Sequence, residues 1–391
     1  MEKWLMKIDE KQLRSIKGGV CAPDGFRGGC VLADGSGETL PLGAIVADRP
    51  CVAAGVFPVN GYLADPVSLS KRRLKIGRAQ VLLFHGGRAN VFKEDGEDLC
   101  DFLCRLVETH TGISEEDVLT ASFGEIGKPI LEKQFGGIIP TLLKGLKSGE
   151  EGDFFVKQAL GEGAESFSYA FDLWGYPCKI GGAYFVGRRE RIVLITTDVR
   201  ISQRALKRIL DTEIKDTLGL LSVDGVDSPN DGIFLLSSGM ASNYTIDYLD
   251  GEYKKFSRVL RSVLTEICVR TVKGAGIPLY CTVSGTKSKQ EARRIAKTLV
   301  RLSAVKELFS DATPTETLAY SLWGERGSLA GAEIRLRSRR GERVLFSDGM
   351  PLPAKRENVQ ALYDEEGLEL LIRFGEGNFS ATAYGVLKKS P

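Results

Sequence analysis

Short apolar runs alternate with turn residues through the first half of the chain. Residues 42–46 (LGAIV), 52–57 (VAAGVF) and 81–84 (VLLF) read as strands bounded by Gly, Pro and Asp. Segment 98–107 places Leu99, Phe102, Leu103, Leu106 and Val107 at helical spacing. Ser114 stands as the N-cap of a short acidic turn, and 118–121 reads as a strand running into the Gly-punctuated loop 122–127. The stretch 145–175 has no clean period, and its GLKSGEEGDF segment reads as a surface loop. Residues 192–196 predict a strand, and Ser202 caps a helix with Ala205, Leu206, Ile209 and Leu210 on one face. A second helix carries Phe256, Val259, Leu260, Val263, Leu264 and Ile267. A third carries Ala292, Ile295, Ala296, Leu299 and Val300 behind a strand at 279–283. From Ala332 onward the runs AEIRLRSRRG, ERVLFSDGM, LELLIRFGEG and FSATAYGVL alternate like antiparallel strands with one wet face. The class is mixed α/β.

Length and composition narrow the function classes. A chain of 391 residues exceeds the size at which one hydrophobic core usually stops growing, so two domains or subdomains are expected. Net charge is +2, which leaves no electrostatic footprint for nucleic acid or an anionic membrane. No run approaches the roughly 20 apolar residues of a membrane span, and the charged N-terminus has no signal-peptide core. Eight cysteines without a C-x-x-C pair read as reduced thiols of a cytoplasmic protein. Two histidines in the whole chain, without ligand spacing, predict no metal site, and no cofactor motif is present. Glycine is the outlier: 45 residues, roughly 12% against a usual 7%, for turns and close backbone approaches.

Eight segments together resemble one family, the ornithine acetyltransferases of arginine biosynthesis (bifunctional glutamate N-acetyltransferases). They are GGVCAPDGF (18–26), ADRPCVAAGVFPVN (47–60), HGGRANV (85–91), TASFGEIGKP (120–129), ITTDVRIS (195–202), SVDGVDSPND (222–231), SGTKSKQEARRIAKTLV (284–300) and ATAYG (381–385), in the family's order and across nearly the whole chain. The resemblance implies a two-subdomain architecture of DmpA/ArgJ type, with mixed sheets flanked by helices, shared with self-processing aminopeptidases. It implies subdomains at 1–180 and 181–391, the second beginning at the cleavage region. It also implies chemistry that starts from self-cleavage. A Thr becomes the N-terminus of a second chain, its freed amine acts as base for its hydroxyl, and a Thr-Gly pair forms the oxyanion hole.

Carried over position by position, the family's reactive groups are replaced. Counting back from Ile195, the Ala-Thr cleavage pair falls on Arg189 and Glu190, and no Ser or Thr stands between Cys178 and Thr196. Self-cleavage needs a hydroxyl or thiol, which Glu190 does not supply. Phe123 takes the oxyanion Thr place, beside a retained Gly124. The Gly-rich stretch that carries a binding Lys is shortened, and Lys179 does not match that position. An acidic position becomes Ala275, the segment 313–318 departs from the family's DPNWGR pattern, and the resemblance implies a continuation past ATAYGVLKKSP with an Asn and a hydroxyl residue that close the site. Asp224, Gly225, Asn230 and Asp231 match a turn-rich scaffold motif.

The sites expected from this reading have bland counterparts. Arg188, Arg189 and Glu190 (with Arg191) either bind an anionic ligand in the old pocket or form a solvated, self-paired charge cluster. His85 and Arg88, standing where the family has amides, form a new polar site, or His85 is a hydrogen-bonded structural residue. Phe123 and Gly124 mark either a vestigial oxyanion region or a simple turn. Cys178 and Cys281 are substitute nucleophiles or buried thiols, and neither has a His nearby in sequence. Together the replacements point to a non-catalytic binding, regulatory or partner subunit, with no catalytic residue assigned. Its expected partners are an amino-acid-like or acyl-amino-acid ligand, an active paralogue, and a second copy of itself by family analogy. The alternative is an acyltransferase or amidohydrolase with a rewired site, acting on N-acyl amino acids.

Overall fold

The computed structural model describes residues 13–35, 38–59, 62–92, 96–127, 135–187, 190–224, 227–248, 251–308, 313–326 and 329–387. Contacts group the described residues into two units, one within Asp9–Asp211 and Asp227–Val259, the other within Thr212–Val226 and Leu260–Pro391. Residues 180 and 181 both lie within one strand of the first unit, Tyr176–Val186.

The first unit is built on a nine-stranded sheet. Its strands are β1 (Arg14–Ser15), β2 (Phe26–Gly35), β3 (Glu38–Val56), β4 (Arg78–His85), β5 (Val118–Ser122), β6 (Glu165–Leu173), β7 (Tyr176–Val186) and β8 (Arg191–Thr197). After the short β9 (Leu221–Ser222) of the other unit comes the ninth, β10 (Gly232–Ser237). The order is β1-β6-β7-β8-β10-β3-β4-β5, with β2 on the same edge of β3 as β10. β8 and β10 are parallel, as are β4 and β5; the other pairs are antiparallel. β8 and β10 are almost wholly buried, which explains their continuous apolar runs. The two strands read at 42–46 and 52–57 are one long strand, β3. Its ladder to β4 shifts register between Val46 and Cys51, where ADRP crosses. That irregularity re-aims the chain without ending the strand.

Helices α1 (Asp65–Arg73), α2 (Gly96–Thr111), α3 (Ile139–Lys144), α4 (Gly149–Leu160) and α5 (Gln203–Ile214) follow in chain order. α4 corrects the reading of GLKSGEEGDF as a surface loop. Glu150 and Glu151 in its first turn suit the helix N-terminus, and Val156, Ala159 and Leu160 are buried. What the sequence pattern hides is the packing: a Cβ at Gly152 would lie 2.1 Å from the Lys147 carbonyl oxygen, so glycine is required there despite its low helix propensity. β6 then covers residues 165–173 of the stretch that had no clean period.

The second unit contains part of the long helix α6 (Gly251–Ala275), then β11 (Ile277–Thr286), α7 (Lys289–Arg301), α8 (Ser303–Lys306), α9 (Pro314–Arg326), β12 (Glu333–Ser338), β13 (Gly341–Ser347), β14 (Met350–Pro351), α10 (Arg356–Gln360), β15 (Leu368–Arg373) and β16 (Phe379–Leu387). Its sheet runs β14-β13-β12-β15-β11-β16-β9. Leu279, Cys281 and Val283, with Leu368, Leu370, Ile334 and Leu336, lie in one core with Ile295, Leu299 and Val300 of α7. The alternate residues face the other way, and this is the expected wet face. The fold is thus mixed α/β with helix-flanked sheets, as expected.

Candidate active site

Two loops leave the parallel strands β4 and β5 side by side. The Phe123 N–H donates to the His85 carbonyl (3.2 Å), the Glu125 N–H to Gly87 (3.0 Å), and the Ala89 N–H to Glu125 (3.0 Å). At Gly124 the backbone has φ +124°, and a Cβ would sit 2.3 Å from the Gly87 carbonyl carbon. Only glycine fits this crossing. The Gly124 N–H donates to the Glu190 carboxylate Oε1 at 2.7 Å.

Glu190 reaches this amide from the turn that closes the β7–β8 hairpin. Val186 pairs with Arg191 in the ladder, and the Gly187 N–H donates to the Glu190 carbonyl at 2.9 Å. Burial pushes the Glu190 carboxyl above its ordinary range and Asp231 adds to the rise, while the Gly124 N–H opposes it. Arg188 and Arg189 lie outside the described residues.

The next residue is clamped. The Arg191 N–H and Nε donate to Asp231 Oδ1 and Oδ2, both at 2.8 Å, and its Nη2 meets Asp227 Oδ1 at 2.7 Å. Such a bidentate pair fixes both position and orientation. Burial raises the Asp231 carboxyl, with Arg191 pulling the other way. The same turn is tied to the β5 end: the Ser122 hydroxyl donates to Asn230 Oδ1 (3.3 Å) and accepts the Asn90 N–H (2.9 Å). Ser122, Asn90 and Asn230 are fully buried. The SPND turn therefore anchors the hairpin and both loops, a role its turn-rich composition only hinted at.

The other expected residues sort around this centre. Phe123 is buried and stacks on Phe185, ring centroids 5.8 Å apart, so an apolar ring stands where the resemblance places a hydroxyl donor. The buried His85 ring packs on Phe135 (5.5 Å) beside a residual space of about 10 Å³ lined by Leu99, Cys100 and Leu103. Arg88 is buried, and its backbone bridges to Glu125. The structure thus brings Gly124 and Glu190 into contact, with His85 and Arg88 joined to them through the loop backbones.

The thiols stand apart. The Cys178 Sγ contacts the Tyr176 carbonyl (3.6 Å) and Asn243 Oδ1 (3.8 Å), and burial pushes its thiol up to about 12. Cys281 belongs to the second unit's core, where burial also raises it. Thr196 and Thr197 donate to the carbonyls of Val20 and Lys179 at 2.5 and 2.7 Å. A cluster not foreseen from the sequence joins Lys179 Nζ to Asp24 (2.6 Å) and seats Asp198 on the Lys179 N–H (2.7 Å). The signal was present in PDGF and ITTD, but 174 residues separate Asp24 from Asp198. Among the described residues, no group of three or more His, Cys, Asp or Glu is arranged to hold a metal, and no helix is long and apolar enough to cross a membrane.

Comparison with known proteins matches these elements to one family. The chain is 26% identical over 392 residues to a glutamate N-acetyltransferase of Methanocaldococcus jannaschii, covering 95% of this chain and 96% of that protein. It is 27% identical over 388 residues to the arginine biosynthesis bifunctional protein ArgJ of Lactococcus lactis, with 95% and 96% covered. The crystal structure of ArgJ from Bacillus halodurans overlaps 50% of this chain and 92% of its own, at 20% identity and a TM-score of 0.44. The ArgJ family pattern matches residues 34–386, and the chain belongs to the ArgJ family.

Proposed function

We propose that this ArgJ-family chain is not self-processed and acts as a non-catalytic binding, regulatory or partner subunit. One observation carries the reading: the Glu190 carboxylate accepts the Gly124 N–H at 2.7 Å, at the two positions where the resemblance puts the nucleophile and an oxyanion donor. An amide engaged by an internal carboxylate is not available to a tetrahedral oxyanion. A carboxylate in mid-chain has neither the hydroxyl nor the freed amine that Thr chemistry uses. In this reading segments 1–180 and 181–391 stay one covalent chain, uncut at the cleavage pair Arg189–Glu190. The ligand is amino-acid-like or an N-acyl amino acid, and the macromolecular partner an active paralogue or a second copy.

The test is direct. Mass measurement under denaturing conditions should give one species near 42.6 kDa. Purified protein should show no acetyl exchange between N-acetylornithine and glutamate above background. Two fragments, or measurable exchange, would overturn the proposal. A rewired acyltransferase or amidohydrolase is favoured by one feature, the raised Glu190 carboxyl, which suits a general base. In that case hydrolysis of N-acyl amino acids should be detectable, and Glu190→Gln should abolish it.

A further inference from the structure

The second unit holds a cavity of about 680 Å³ on the face of its sheet opposite the α7 core, and none of its lining residues belongs to the Gly124–Glu190 site. Strand alternation and register build its wall in three rows. Ser380, Ser284, Arg373 and Glu333 form the first, and Thr382, Thr282, Leu371 and Arg335 the second. Tyr384, Tyr280, Glu369 and Arg337 form the third.

Most of this wall is internally satisfied. Arg335 holds Glu333 and Glu342, each at 2.6 Å, and the Arg337 Nε holds Glu369 at 2.7 Å. The Thr282 and Thr382 hydroxyls bond each other at 2.9 Å. Two groups remain. The Tyr280 hydroxyl is buried, its residue 5% exposed, and has no hydrogen-bond partner among the described residues. The Arg373 guanidinium, exposed in the first row, acts on its cross-strand neighbour Glu333 through charge alone, since the Glu333 carboxylate is hydrogen-bonded by Arg335. A buried hydroxyl is normally paired, and this orphan belongs to a residue of the cavity wall.

We propose that this cavity binds a small organic monocarboxylate. Its carboxylate lies on the fork of Arg373, its body crosses Leu371, and a hydrogen-bonding group at its far end meets the Tyr280 hydroxyl. Four residues of strand separate the outer rows, about 13 Å between backbones, so the ligand is elongated. Three arginines face three glutamates in the lining, which favours a single negative charge over a phosphate dianion. A cation finds no carboxylate in the wall without an arginine partner.

Calorimetry on the full chain with 6-hydroxyhexanoate and hexanoate as probes tests this, with inorganic phosphate and hexylamine as controls. We expect one molecule of each carboxylate per chain. Arg373→Ala weakens both by about tenfold or more. Tyr280→Phe weakens only the hydroxylated probe, by roughly three- to tenfold. Because the hydroxyl is unpaired without ligand, Tyr280→Phe leaves the unliganded Tm unchanged or raised. The proposal fails if neither carboxylate binds, if Arg373→Ala binds them as well as wild type, or if either control binds equally. It also fails if unliganded Tyr280→Phe melts lower, or if the face closes a dimer that Arg373→Ala dissociates. The inference does not depend on the reading of Glu190, so either can fall alone.

Discussion

Asp198 shows how one buried carboxylate registers its surroundings. Burial pushes it up to about 6, against the pull of the Lys179 and Asp24 N–H groups and the charge of Lys179; Asp24 reinforces the rise. A folded-state value above the unfolded 3.8 means the folded chain holds the proton longer. The associated stability is fully present below pH 3.8 and is lost as pH rises through about 6. That window corresponds to roughly 3 kcal/mol. Asp198→Asn keeps one oxygen acceptor for the Lys179 N–H, gives up the acceptor of the longer Asp24 N–H contact (3.3 Å), and removes the titration. Its Tm should therefore gain on wild type between pH 4 and pH 7, and a constant difference across that range would refute the assignment. Glu190 is raised for the same reason and in the same direction, so its ionisation also costs stability as pH rises.

Among elements, α7 joins local signals to tertiary packing most plainly. The Ser288 hydroxyl accepts the Glu291 N–H at 3.1 Å, and Glu291 accepts the Lys287 N–H at 3.2 Å. One face then buries Ala292, Ile295, Ala296, Leu299 and Val300 against the sheet. Ser288→Ala should cost about 1 kcal/mol through the lost cap, and Leu299→Ala about 2–5 kcal/mol through the cavity it leaves. Denaturant titration of both variants checks the order; a cap variant as damaging as the core variant would contradict it. The 3.6-residue period was readable beforehand, and the Ser288 cap emerged with the structure. The helix α4 was not, because its glycine-rich start is dictated by the approach of Lys147.

The molecule as a whole contains eight cysteines, none in a disulfide, with seven buried and Cys30 half-buried. Burial raises Cys30 to about 11 and Cys178 to about 12. Thiols so far above neutral present little thiolate to a reagent. We expect eight thiols to titrate in denaturant, and only Cys30 to react within minutes under native conditions at pH 8. Rapid native alkylation of Cys178, located by peptide mapping, would revive the rewired-enzyme reading.

The sequence alone determined the alternation that makes strands and helices, the family, and the identities at 123, 124 and 190. Those follow from local periodicity and linear order, which need no folding to read. It also showed that the last strands have one polar face. Only the tertiary structure decided that Glu190 lies on the Gly124 amide, since 66 residues separate them and the contact requires the β7–β8 turn to meet the loop after β5. The fate of Glu190 and Arg191 was settled the same way. Arg191 is spoken for by Asp227 and Asp231, and Glu190 by a backbone N–H, because the SPND turn is brought to the hairpin by the β8–β10 pairing. Which polar side chains of the second unit satisfy one another, and which two remain for a ligand, is likewise set by cross-strand register. A register is a pairing between distant segments, and no single stretch of sequence contains it.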